Sequence, residues 1–365
     1  MTTHTSNRYA VLLDQMAARR ERVYRYLFES DYAAQLRPPH IRDAALSYLR
    51  MGGKSLRPAV LLLSCGAVGG DETVALSAAG AIEVYHTWTL VHDDIIDRDV
   101  RRRNAPTVHV EFATRGAEEF GFRGEEAAHY GIAIGILAGD VQQSWSYMLF
   151  HELYSKHGVD AALVLSLIAE LATRVQLMLV EGETLDIQYA KREVMALSET
   201  LVVDMLWKKT GALYEFAGKA GAMIGLGTTS SPLIDDIAAF CSRSGTAFQL
   251  QDDVLGVIGS EAQIGKAVGA DIREGKKTLI VYRALQNAND AQRTELLGTL
   301  GNLQATPEQV ARATQLLIEL DGIRYTQELA QRYIDEALEH LARVPSSQNR
   351  DLLQQWAEYL IDRNL

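Results

Sequence analysis

An all-α chain is what the sequence predicts, and three observations carry it. Apolar residues recur at i, i+3, i+4 through most of the 365 residues, the spacing that keeps one stripe of a helix apolar. No run shows the period-two alternation of a half-buried strand. Proline is scarce, with 7 residues, and glycine pairs such as Gly69-Gly70 punctuate helical runs rather than forming tethers. The expected helical stretches are 8–28, 41–67, 73–99, 131–156, 159–190, 199–226, 233–258, 277–287 and 306–341. Thr306-Pro307-Glu308-Gln309 opens the last with proline at the first helical position and a glutamine three residues after the threonine, a capping-box pattern. Ser198 before Glu199 reads as a simple N-cap, since Leu201 at the third position supplies no reciprocal side chain. Residues 111–130 are glycine-spotted and acidic and read as a loop or short-helix excursion, either a surface insertion or a flap. With no linker and no internal repeat, one domain over 1–365 is expected.

Composition narrows the function. Hydrophobic residues make up 47% and charged residues 23%, enough for a substantial core. The longest apolar stretches, near Ala59–Val68 and Ala161–Ala172, are interrupted by polar residues short of the roughly 20 needed to span a bilayer. No membrane span and a cytoplasmic location are therefore expected. A net charge of −11 argues against nucleic acid, whose binding needs a basic face. Cys65 and Cys241 lie in apolar helical contexts without a CxxC or Cys/His cluster, and read as packing residues.

Two acidic segments stand out. Val91-His92-Asp93-Asp94-Ile95-Ile96-Asp97 and Gln249-Leu250-Gln251-Asp252-Asp253-Val254-Leu255-Gly256 each place paired aspartates on an apolar helix. At 3.6 residues per turn Asp93 and Asp97 share a face, so their oxygens converge on a hard divalent cation such as Mg2+, which also takes substrate phosphate oxygens. An Asp-Asp pair is often only a solvated face or a favoured first-turn charge, the reading given to Asp235-Asp236. Residues 81–92 before the first segment are mostly apolar, however, and uncompensated charge there is costly, so a counter-ion is implied.

Basic and polar partners follow. Gly52-Gly53-Lys54-Ser55-Leu56-Arg57-Pro58 sets a glycine pair before two cations that, at i and i+3, are expected on one helix face. Arg101-Arg102-Arg103-Asn104 follows the first aspartates closely and makes sense bracketing a ligand with several negative charges. His86 lies two turns below Asp93, within reach of a phosphate there, although a lone histidine on an apolar helix is more often a core residue. Lysines recur in Trp207-Lys208-Lys209-Thr210-Gly211, at Lys266 and in Lys276-Lys277. Metal ions and a few converging lysines and arginines can outweigh a negative total charge in a shielded cleft.

GGKSLRP, HDDIID with RRRNAPTVH, GETLD at Gly182–Asp186, KKTG, FQLQDDVLG and GKAVGADIREGKKT, in this order over roughly residues 40–290, resemble the trans-isoprenyl diphosphate synthases, the polyprenyl synthetases. The resemblance implies an isoprenoid-synthase-type bundle of antiparallel helices around a central cavity, usually a homodimer. It implies head-to-tail condensation of isopentenyl diphosphate with an allylic diphosphate, dependent on up to three Mg2+. Asp93, Asp94 and Asp97 would hold two ions and Asp252 a third, with Asp253 assisting through water. Arg102, Lys209, Thr210, Gln249, Lys266 and Lys276 would contact the allylic diphosphate, with Lys277 as an alternative to Lys276. Gly53, Lys54, Arg57, His86 and Arg103 would hold isopentenyl diphosphate, and Asp93, Asp94, Asp97, Lys209 and Asp252 form the implied catalytic set. Three positions depart from the usual pattern: Gly256 replaces an aspartate, Glu183 a glutamine and Asn104 a glycine.

By the same resemblance, small Thr89 and bulky Trp88 and Tyr85 form the floor that limits product length. They lie about 6, 7.5 and 12 Å from Asp93 along the helix axis. The expected product is a C15–C20 chain, geranylgeranyl diphosphate favoured. A class I terpene cyclase has no need for the second diphosphate site, and a non-catalytic regulatory subunit would have eroded aspartates. A calcium loop lacks its glycine and terminal glutamate after Asp97.

Overall fold

The computed structural model describes residues 8–259 and 269–362. Seventeen helices carry the described chain: α1 (Ala10–Phe28), α2 (Asp31–Gln35), α3 (Pro39–Met51), α4 (Leu56–Ala67), α5 (Leu76–Ile96), α6 (Val108–Phe120), α7 (Glu125–His157), α8 (Ala161–Lys191), α9 (Glu199–Leu206), α10 (Ala212–Leu226), α11 (Pro232–Ile258), α12 (Ala270–Glu274), α13 (Leu279–Asn287), α14 (Asp290–Thr299), α15 (Pro307–Glu319), α16 (Gly322–Leu341) and α17 (Gln348–Asp362). The only described strands, β1 (Arg101–Arg102) and β2 (Ala105–Pro106), form one antiparallel hairpin. Contacts divide the chain into two compact units. The N-terminal unit holds Ala10–Ala169 and Ala220–Ser231, and the C-terminal unit holds Glu170–Lys219 and the chain from Pro232 onward, with Arg8 and Tyr9.

In the N-terminal unit α5 packs chiefly on α7, and α6 also lies along α7. Glycines at i, i+4 and i+8 make this possible: a Cβ at Gly131, Gly135 or Gly139 would fall 2.0 Å from the His109 carbonyl, 2.7 Å from Ile95 and 2.0 Å from His92. Ile41, Ala44, Tyr48, Val91, Val108, Phe112, Ile134 and Ala138 form a core beneath the first aspartates. In the C-terminal unit α16 packs along α11, and Trp356 of α17 meets Tyr214 and Phe240 at ring distances of 5.5 and 5.9 Å.

Several expected elements differ. The 41–67 stretch is two helices, broken where Gly52 (φ 71°) and Ser55 (φ 46°) take left-handed backbone. The 306–341 stretch breaks at Asp321 (φ 68°). Residues 111–130 follow the short-helix alternative rather than the loop or flap: Gly121, left-handed at φ 78°, caps α6, and α7 resumes after Gly124. The glycine at 116 belongs to packing, since the Tyr130 ring fills the space its Cβ would take. α2, α12, α14 and α17 fall outside the expected stretches. The caps behave as read, with a full capping box at Thr306 and Gln309 and a single bond from Leu201 N–H to Ser198. Asp235 stands in the first turn of α11, but Asp236 accepts from His340 (3.0 Å) and Arg343 (2.9 Å) and is not simply solvated.

The apolar stretch near Ala161 also reaches further than expected. A π turn over Leu171–Val175 keeps α8 continuous through its polar residues. By length and composition it is, among the described residues, the one helix long and apolar enough to cross a membrane. Its charges are not bare, since Arg174 pairs with Glu170 (2.8 Å) and Glu215 (2.9 Å).

Candidate active site

In the N-terminal unit the first acidic segment closes α5. Asp97 is the C-cap residue, its N–H bonded to the Asp93 carbonyl at 2.8 Å. Helical phase therefore persists to the last carboxylate, and one oxygen of Asp93 lies within 4.8 Å of one of Asp97, both side chains half-buried. Two hard oxygen donors this close, on a mostly apolar helix, fit a small divalent cation.

Asp94 differs. Its side chain is 1% exposed and both oxygens are committed to protein. Arg102 binds it through Nε (2.7 Å) and Nη2 (2.6 Å), and Tyr48 donates its hydroxyl. Burial works against the Arg102 charge, yet its hydrogen bonds to Asp94 and the charges of Asp94 and Asp93 hold its pKa above the ordinary value. Arg102 also reaches toward Asp93 at 3.6 Å, so the arginine expected at a diphosphate lies against the first carboxylates. As the structure stands, Asp94 anchors an arginine.

The hairpin explains one departure from the expected pattern. β1 and β2 are joined by two residues, Arg103 (φ 51°) and Asn104 (φ 64°). Such a turn demands positive φ at both positions, and asparagine tolerates it best among residues with a side chain. The turn carries Arg103 to Gly53, where a Cβ would fall 2.6 Å from Nη2 of the arginine. These two expected isopentenyl diphosphate residues are thus in contact. Lys54 and Arg57 do not share a helix face as expected, because α4 begins only at Leu56. Arg57 donates to Nε2 of His86 at 3.1 Å. Burial, and then the charges of Arg57, Arg103 and Arg102, push the His86 pKa well below its usual value, so the imidazole is neutral and accepts.

Below the aspartates, Tyr85 is fully buried and Trp88 nearly so, their rings 4.9 Å apart and edge to face. The Trp88 indole N–H donates to Nδ1 of His92 (3.1 Å), and His92 sits where Gly139 lacks a side chain. Thr89 is half-buried and turns its hydroxyl to the His86 carbonyl at 2.8 Å.

In the C-terminal unit α11 carries Gln249, half-buried Asp252 and buried Asp253. Between α9 and α10 the chain makes a π turn, Trp207–Gly211, which periodicity alone does not reveal. It presents Lys209 to Asp186 (2.6 Å) and Glu183 (2.8 Å), and Thr210 to Gln249 at 2.7 Å. Gln249 then donates to Asp253 (3.0 Å). Glycine at 182 is required, since a Cβ there would fall 2.4 Å from the backbone nitrogen of Lys209. Oδ2 of Asp253 is buried with no hydrogen-bond partner. Burial, with help from the Asp271 and Asp186 charges, pushes this carboxyl up to about 8. A carboxylate so placed fits a cation partner.

Gly256 abuts an acidic neighbour: a Cβ there would lie 2.5 Å from Oδ2 of Asp271, so a further carboxylate would require Asp271 to move. Lys276 lies 3.6 Å from Asp271 and its charge is felt at Asp253, whereas Lys277 has its pKa lowered by burial and by Lys191. Lys266 lies outside the described residues. Tyr48 in the N-terminal unit, and Asp186 and Asp271 in the C-terminal unit, take part in the site of their own unit without having been assigned from sequence. Asp186 and Asp271 sat inside quoted motifs, and nothing local marked Tyr48.

Half-buried carboxylates and cations on long apolar helices make an all-α framework with groups suited to divalent metal and a polyanionic ligand. The polyprenyl synthetase profile matches residues 38–317. The chain is 32% identical over 325 residues to the geranylgeranyl diphosphate synthase of Saccharolobus solfataricus, covering 88% of this chain and 90% of that one. It superposes on geranylgeranyl pyrophosphate synthetase from Pyrococcus horikoshii with a TM-score of 0.84 at 32% identity, covering 98% of this chain and 100% of the other. A Corynebacterium glutamicum geranylgeranyl pyrophosphate synthase, complexed with isoprenyl diphosphate and magnesium, gives 0.81 at 28% identity, covering 97% and 99%. The chain belongs to the polyprenyl synthetase family and is a prenyltransferase.

Proposed function

We propose that the chain condenses isopentenyl diphosphate head-to-tail with an allylic diphosphate to give a C15–C20 trans-prenyl diphosphate, geranylgeranyl diphosphate first. The observation that carries this is the convergence of Asp93 and Asp97 within 4.8 Å at the end of α5, beside an arginine held by buried Asp94. Asp93, Asp97, Asp252 and Asp253 would hold up to three Mg2+, which neutralise a departing diphosphate. Asp94 contributes through Arg102. Arg102, Lys209, Thr210, Gln249 and Lys276, with Lys266, orient the allylic diphosphate by donating to its oxygens. Gly53, Lys54, Arg57, His86 and Arg103 hold isopentenyl diphosphate.

The allylic C1–O bond breaks and pyrophosphate departs with the electron pair. The C3–C4 double bond of isopentenyl diphosphate then attacks C1, forming the new bond at C4. The proton at C2 passes to pyrophosphate, so no protein nucleophile is required. Tyr85, Trp88 and Thr89 limit the tail. The exposed Leu165, Leu177, Val180 and Ile187 of α8 favour a second copy of this chain as partner, and the buried, free thiol of Cys65 agrees with a reducing compartment such as the cytoplasm.

The test supplies purified protein with labelled isopentenyl diphosphate, C5, C10 or C15 primers, and Mg2+ or chelator, with products sized by chromatography. Mg2+-dependent elongation to C15–C20 is expected, and Asp93→Ala or Asp252→Ala should lower the rate by roughly 10²–10³. No incorporation with any primer refutes the reading. Trp88→Ala is expected to lengthen products, and unchanged chain length would remove Trp88 from the floor.

A further inference from the structure

Glu83, on α5 a turn below His86, is the most deeply buried acid of the N-terminal unit after Asp94, at 5% exposure, and neither motif includes it. Its Oε1 accepts from the Tyr24 hydroxyl (2.9 Å) and the Ser55 hydroxyl (2.8 Å), and those two hydroxyl oxygens are themselves 3.0 Å apart. Its Oε2 is buried with no hydrogen-bond partner. Ser55 is unusual in turn. It stands at the N-cap of α4, where a serine side chain ordinarily accepts from the helix backbone, yet it makes no such bond and its backbone is left-handed. The hydroxyl is given to Glu83 instead.

Ser55 lies between Lys54 and Arg57. Its backbone angles decide where Lys54 leaves the chain and how α4 starts, and therefore where Arg57 points. Arg57 is fixed separately by His86. Glu83 and His86, three residues apart and hence neighbours on α5, thus grip the start of α4 at two points.

We propose that Glu83 is a positioning residue for isopentenyl diphosphate: through Ser55 and Tyr24 it holds the 52–57 segment in the conformation that presents Lys54 and Arg57. This rests on the proposed role of those two cations. It assigns Glu83 no contact with substrate.

The test measures KM for isopentenyl diphosphate, KM for the allylic primer, kcat and thermal unfolding on the full chain. Glu83→Gln should raise KM for isopentenyl diphosphate on the order of tenfold, since a small misplacement of binding groups costs this much or more, with the allylic KM within about twofold. Ser55→Gly, which keeps left-handed backbone accessible, should raise it less than Ser55→Ala. Equal effects on both KM values, no effect, or equal effects of Ser55→Gly and Ser55→Ala would overturn the inference. If Glu83→Gln does not fold, the two serine variants decide. Wild-type protein that fails to consume isopentenyl diphosphate at all sinks the functional reading instead.

Discussion

Asp94 and Asp253 are the same residue in the same kind of segment, each the second aspartate of a pair on a long helix and each buried. Their surroundings are opposite. Asp94 is met by the two-pronged guanidinium of Arg102 and by Tyr48. Asp253 receives one amide from Gln249, faces Asp271 and Asp186, and keeps an oxygen with no partner. A buried charge is tolerable once paired with good geometry and costly otherwise. The first site therefore carries its own counter-ion, and the second is built to receive one.

The sharpest way to break this contrast is to remove each partner. Arg102→Leu leaves Asp94 buried and unpaired, and should cost about 3–5 kcal/mol in denaturant unfolding. Asp253→Asn replaces a carboxyl whose ionised form the metal-free fold disfavours, so it should leave stability unchanged or raise it. Equal losses would show that the two pairs are electrostatically alike.

A smaller effect is expected from pH. The folded Asp253 carboxyl titrates at about 8, above the unfolded value of about 3.9. Between these values the folded state binds the extra proton, so its stabilising contribution is complete below the unfolded pKa and is lost as pH rises through the folded one. Chelated protein should lose up to about 1.4 kcal/mol per pH unit from this group in that window. Unfolding of Asp253→Asn across pH 5–8 should be flatter than wild type. Parallel curves would place the titration elsewhere.

The smallest expected effect concerns the hairpin that brings Arg102 to Asp94. Asn104→Gly should change stability by only a few tenths of a kcal/mol, whereas Asn104→Val, β-branched at positive φ, should cost about 1–2 kcal/mol. Thermal unfolding of the two variants measures the difference.

Long periodic helices were legible because an apolar stripe repeats over many turns, as in α5, α7 and α11. Breaks inside a stripe were not. The period carries across Asp321 although its φ is 68°, and Asp321-Gly322 was the available local signal. The Asp93/Asp97 face followed from spacing alone, and motif order brought Arg102 to it. Tyr48 was out of reach because it joins Asp94 across 46 residues, and the π turn at Trp207–Gly211 because one extra residue in a turn leaves the flanking patterns intact.

Both acidic segments sit where their helices finish, at Asp97 after α5 and in the last two turns of α11. The aligned peptide dipoles of a helix leave partial negative charge at that end, which repels carboxylates and leaves the final carbonyls short of donors. A bound cation would then act as a C-terminal cap in addition to any role toward substrate. Metal should stiffen the ends of both helices, and amide hydrogen exchange around residues 94–99 and 253–258 should slow when it binds.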